Sequence, residues 1–143
     1  MSGDQNKATQ RTIIAEAINK GNVAVATELI AEDHVALEPS PPRGPGRAGL
    51  LASRDMFFAA FPDFEWTVEE QVAEGDTVAT YLIGRGTHLG AFMGIPPTGK
   101  RVTVPSMGFD YFRDGQCAKT RLLLDIMSLM QQLGVIPAPG QAQ

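Results

Sequence analysis

The apolar residues change period near Pro62, and that change limits the fold more than any other feature of the chain. Before it, hydrophobic side chains recur at helical spacing. In "ATQRTIIAEAINKG", Ile13, Ile14, Ala17 and Ile18 share one face and Gly21 supplies a stop. "NVAVATELIAEDH" follows, with Asn22 as a cap and Val23, Ala26, Leu29 and Ile30 on one face. "RAGLLASRDMFFAAF" makes a third helix, stopped by Pro62. After it the period is two. Phe64, Trp66, Val68 and Val72 alternate with Glu65, Thr67, Glu69 and Gln71, as in a strand with one wet face. "EGDT" reads as a turn before "VATYLIGRGTH", and "RDGQ" as the hairpin joining "VTVPSMGFDYF" to "CAKTRLLLD". A short helix, "IMSLMQQLG", ends on Gly134. The predicted order is helix, helix, short strand, helix, four strands, helix. Helices grouped ahead of an antiparallel meander give an α+β class rather than βαβ units. The expectation is a curved antiparallel sheet folded around the N-terminal helices, with a pocket on its concave face.

Length and charge remove other classes. A chain of 143 residues fits one domain, placed at 1–136, with the Pro/Gly/Gln-rich segment 137–143 read as a disordered tail. The formal net charge of −4, without a basic block, argues against nucleic acid or an anionic membrane as partner. No apolar run reaches the roughly 18 residues of a membrane span, and "MSGDQNKATQR" has no signal-peptide core. With a single cysteine, Cys117, a cytoplasmic location is expected. His34, His88 and Cys117 show no metal-ligand spacing, and neither a dinucleotide nor a phosphate-loop motif occurs, so no metal and no cofactor is expected. One segment breaks all regular structure: "PSPPRGPG", residues 39–46, with four prolines and two glycines. It is a surface loop or, because such a loop keeps its shape, a pocket rim.

Several residues stand out chemically. Asp125 is the lone carboxylate in "RLLLDIMSLM". It is either the N-cap of the last helix or a general acid/base whose pKa apolar neighbours raise. His88 ends a strand just before "LGAFMGIPPTG". It either satisfies loop backbone or donates to a substrate carbonyl. Gly84 and Gly86, on that strand's His88 face, mark curvature or room for a ligand. Phe92 and Met93 lie between glycines on a loop that can serve as a lid. Phe58, Trp66, Met107 and Tyr111 are further candidates to line an apolar site. Arg121 shares a strand face with Asp125, and Glu38 precedes the Pro-rich loop.

The blocks FPD (61–63), EGD (74–76), GTH (86–88), GIPPTG (94–99) and QLG (132–134) together resemble the SnoaL-like polyketide cyclases of the NTF2-like superfamily, over roughly residues 8–136. The resemblance implies a cone-shaped α+β barrel and a homodimer or higher homo-oligomer. It also implies cofactor-free intramolecular aldol closure of a hydrophobic polyketide, with a pocket aspartate as acid/base. The family's aspartate, seven residues before QLG, falls on Asp125. Two positions depart from the family pattern: Glu38, where histidine or asparagine is common, and Arg121, where an aromatic is. Arg121 could pair with Asp125 or bind a substrate carboxylate or phenolate. An isomerase, dehydratase or hydratase on the same fold, and a non-catalytic binding module, stand as alternatives.

Overall fold

The computed structural model describes residues 2–137 and 140. Its first helix begins earlier than the apolar pattern predicts, because a capping box starts it. The Ser2 hydroxyl accepts the Gln5 amide, and the Gln5 side chain accepts the Ser2 amide in return. Helix α1 (Gly3–Thr12) runs directly into a π-helical segment, Ile13–Ile18, whose wider turn presents three isoleucines inward. Asn22 caps α2 (Val23–Leu29), as expected.

The expected helix through His34 is cut short. At Ile30 the chain becomes strand β1 (Ile30–Leu37). Ile30 lies opposite Cys117, Ala36 opposite Thr120 and Leu37 opposite Arg121. A β-branched residue gaining ladder hydrogen bonds and full burial outweighs a weak helical preference there. Helix α3 (Gly46–Ala60) follows the Pro-rich loop. Then come β2 (Glu65–Glu74), β3 (Thr77–Thr87), β4 (Arg101–Arg113), β5 (Gln116–Leu124) and α4 (Ile126–Leu133). The sheet order is β1-β5-β4-β3-β2. Four strands form the expected antiparallel meander. The β1–β5 pairing is parallel, so the sheet is mixed rather than wholly antiparallel. It curves without closing. The two tight turns fall where "EGDT" and "RDGQ" place them, with Asp114 and Gly115 both at positive φ.

One sheet face is dry. On β4 the inward residues are Val102, Val104, Ser106, Asp110 and Phe112, all buried. Ile13, Ala17, Ala26, Ile30, Val78, Phe112 and Cys117 pack together beneath the helices. A second cluster holds Phe61, Phe64, Val102, Val104, Leu129 and Leu133, with Phe57, Trp66 and Phe92 against it. Its rings meet at centroid distances of 4.8 Å (Phe57–Phe64) to 6.3 Å (Phe57–Trp66), contacts worth about 1 kcal/mol each beyond area burial. Between the clusters the apolar packing stops and a cavity remains.

The blocks FPD, GTH and QLG are braces of this scaffold. Asp63 accepts the Thr87 amide (2.7 Å) and hydroxyl (2.8 Å), which holds its carboxyl below the usual range. Gln132 bonds both backbone groups of Thr103, at 2.8 and 2.7 Å, like an extra strand residue. Gly134 takes the left-handed turn that ends α4. The room above Gly84 and Gly86 is filled by the chain itself. A Cβ at Gly86 would stand 2.6 Å from the Phe64 ring, and one at Gly84 would run into the same ring.

Candidate functional site

A cavity of about 560 Å³ lies between the inner sheet face, the α1–π segment, α3 and the Pro-rich loop. Its walls are mostly apolar: Ile13, Ile14 and Ile18 on one side, Phe57, Phe58, Trp66 and Phe92 on another, Leu82, Leu122 and Leu124 on the sheet. The volume suits a flat molecule of drug-like size. The loop of residues 39–46 forms part of the rim, the second of the two readings left open for it, and contributes Ser40, Pro41, Pro42, Arg43 and Gly44. It is held firmly. The Ser40 hydroxyl donates to the Thr120 carbonyl (3.2 Å) and accepts the Leu122 amide (2.9 Å). Gly44 folds against Gly49 so closely that a Cβ at Gly49 would strike the Gly44 carbonyl.

Asp110 stands in this wall. Among the described residues it is the only carboxylate that lines the cavity. Val78 and Thr120 flank it across the ladders, and it is 6% exposed. Burial pushes its pKa up to about 6, against the opposing pull of hydrogen bonds from Thr120 and Cys117. Both bonds end on Oδ1. The Thr120 hydroxyl donates at 2.7 Å and the Cys117 thiol at 3.5 Å. Oδ2 has no hydrogen-bond partner among the described residues.

The Thr120 bond begins a chain whose direction chemistry fixes. Arg43 Nη2 lies 2.6 Å from His34 Nδ1, and His34 Nε2 lies 2.9 Å from Thr120 Oγ1. A guanidinium has only donors. His34 Nδ1 must therefore accept, Nε2 carries the hydrogen, and the Thr120 hydroxyl is free to donate to Asp110. His34 is buried, and desolvation with the nearby Arg43 charge lowers its pKa to about 4. It stays neutral at neutral pH. Cys117 is no nucleophile, since burial and the Asp110 charge push its thiol up, well above the ordinary value.

The residues singled out by sequence divide sharply. Phe58, Trp66, Phe92 and Met93 line the cavity. Asp125 does not: it is exposed and caps α4, accepting the Ser128 amide at 3.0 Å. Of its two readings, the cap is the one its position supports. His88 is fully buried but lies outside the cavity wall. Its ring packs 5.3 Å from Phe61, and Nδ1 accepts the Thr98 amide at 3.1 Å, which pins the base of the 88–100 loop. Met107, Tyr111 and Arg121 fall on the outer sheet face, out of phase with Asp110. There Arg121 donates to the Tyr111 hydroxyl (3.2 Å) and the Glu38 carbonyl (2.7 Å) rather than pairing with Asp125. Glu38 is exposed. The sequence reading missed Asp110, Thr120, His34 and Arg43. One signal was available: Asp110 sits in the same alternation as Val102 and Val104.

The family model described as SnoaL-like polyketide cyclase matches residues 8–133. No curated protein matches the chain. Among solved structures, IdmH of Streptomyces antibioticus, a proposed polyketide cyclase, is 35% identical, with a TM-score of 0.79 over 91% of this chain and 99% of that one. A proposed SnoaL-like polyketide cyclase from Jannaschia sp. CCS1 is 27% identical, with a TM-score of 0.85 over 94% and 95%. AclR of Streptomyces galilaeus, a proposed hydroxylase, is also 27% identical, with a TM-score of 0.84 over 98% and 87%.

Proposed function

The chain belongs to the SnoaL-like polyketide cyclase family, and on that premise we propose that it closes a ring in a hydrophobic polyketide-like ketone, with Asp110 as the acid/base. The observation that carries this reading is the single carboxylate in the wall of an apolar cavity, bonded through Oδ1 only. A pKa near 6 leaves it mostly ionised at neutral pH, yet more basic than a free aspartate. Its Oδ2 takes a proton from the carbon between two carbonyls. The electron pair left on carbon delocalises as an enolate and attacks a second carbonyl of the same molecule. A carbon–carbon bond forms, the second carbonyl becomes an alkoxide, and the proton on Asp110 returns to it. The carboxylate is restored and no atom is left over. Apolar and aromatic walls hold the reacting carbons together, and such positioning is worth several kcal/mol.

One support is independent of Asp110: the loop of Phe92 and Met93, with Met93 at positive φ in a tight turn, lines the cavity. On the outer sheet face, exposed Met107 and Leu123 lie opposite each other beside Phe109. That patch supports pairing of two chains, and sedimentation of Met107→Glu against wild type tests it: a dimer persisting in the variant sinks the pairing.

The function is tested with a panel of linear tricyclic polyketide esters. Wild type and Asp125→Asn are expected to close the ring, and Asp110→Asn to fail. Turnover surviving in Asp110→Asn removes Asp110 from the mechanism. Proton transfer without carbon–carbon bond formation makes the protein an isomerase working with the same acid.

A further inference from the structure

We infer that Arg43 is the anion-holding residue of the cavity, and that the ligand presents to it an enolate, phenolate or carboxylate oxygen. Arg43 completes the Asp110 chemistry proposed above and rests on it. Two arginines line the cavity, and they differ in what they have left to give. Arg54 is engaged: it donates to the carbonyls of Ile18 and Asn19, pairs with Asp55 and lies 4.0 Å over the Phe58 ring. Arg43 bonds only His34, through Nη2, and among the described residues no carboxylate stands within ion-pair distance of it. Its other N–H groups find no partner among those residues, on a half-buried guanidinium whose charge burial disfavours.

Charge conservation during the reaction gives this cation its use. Before proton transfer the negative charge sits on Asp110, and two neutral groups, Thr120 and His34, stand between it and Arg43 in the hydrogen-bond chain. When Asp110 takes the proton, that charge moves onto the ligand. The total charge of the cavity is unchanged, but it is now carried by an oxygen in the same space as the free guanidinium donors. An arginine held in advance at that place stabilises the product of proton transfer more than the reactant, which is the requirement for lowering the barrier. The rim is built to hold it in advance. Ser40 ties the loop to β5, and Arg47 reaches the Ile30 carbonyl at 2.9 Å from the loop's far end. The substrate class this selects is a flat apolar ketone that enolises toward the Pro-rich loop. A purely hydrocarbon ligand leaves the guanidinium desolvated and unpaired.

The test uses binding, so it does not depend on turnover. 2-Naphthoate and 2-naphthamide have nearly the same shape and differ in charge at about pH 5, where Asp110 mostly carries a proton, as it does after proton transfer. Calorimetric titration is expected to show wild type preferring the naphthoate by at least about tenfold. Arg43→Gln is expected to lose that preference and keep its affinity for the amide. Arg43→Lys retains the charge without the fork, and is expected to keep part of the preference. The retained amide affinity shows that the variants are folded. Absence of a preference in wild type, or its survival in Arg43→Gln, overturns the assignment. Failure of Asp110 is seen separately, as turnover in Asp110→Asn, and leaves these binding results as they stand.

Discussion

Replacing Asp110 by Asn should stabilise the protein, and only above a defined pH. Burial favours the neutral acid, so the stability Asp110 contributes is whole below its unfolded value of 3.8 and is lost as pH rises through about 6. A rise of that size corresponds to about 3 kcal/mol. His34 has the opposite sign. Its folded pKa is depressed from 6.5 to about 4, so its contribution is whole above 6.5 and is lost as pH falls through about 4. The two slopes nearly cancel in wild type between about pH 4 and 6. The side chain introduced by Asp110→Asn keeps an oxygen to accept the Thr120 hydroxyl and has no charge to desolvate, so the substitution removes one slope and exposes the other. Urea titrations followed by Trp66, the only tryptophan, measure this directly. Asp110→Asn is expected to match wild type near pH 4 and to exceed it by up to about 3 kcal/mol at pH 7.5. A difference that stays constant across the range, or that falls with pH, refutes the assignment of Asp110 as a desolvated acid.

Other substitutions separate scaffold from site. Thr120→Val removes a bond that lowers the Asp110 pKa, so the acidic limb of kcat/KM against pH should move to higher pH. It also orphans the buried His34 N–H, at a cost of about 1–3 kcal/mol in a thermal or urea melt. Asp125→Ala should cost about 1 kcal/mol through loss of the α4 cap and leave turnover unchanged. Gly86→Ala forces a Cβ into Phe64, and a loss of about 1–3 kcal/mol is expected in the same melt.

The period change near Pro62 made the fold legible. Long amphipathic segments and turn residues such as Asp114–Gly115 act locally, so their pattern survives in one dimension. The boundary at Ile30 did not, because a parallel partner far along the chain, Cys117, decides it. The site was hidden for a related reason. Asp110, Thr120, His34 and Arg43 lie on β4, β5, β1 and the rim loop, and only strand pairing brings them together. The motifs that carry the family resemblance were conspicuous but structural, as with Asp63 on Thr87 and Gln132 on Thr103. Asp125 drew notice because apolar residues flank it in sequence. In space those neighbours belong to α4 and β5, and the carboxylate faces water.

The most direct measurement is deuterium exchange into the methylene of methyl 3-oxo-3-(2-naphthyl)propanoate, followed by proton NMR in D₂O. The exchange isolates proton removal from any ring closure. Wild type and Asp125→Asn should speed it above the buffer rate by about a hundredfold or more, and Asp110→Asn should return it to that rate. Equal exchange by wild type and Asp110→Asn would contradict the assignment of Asp110 as the base.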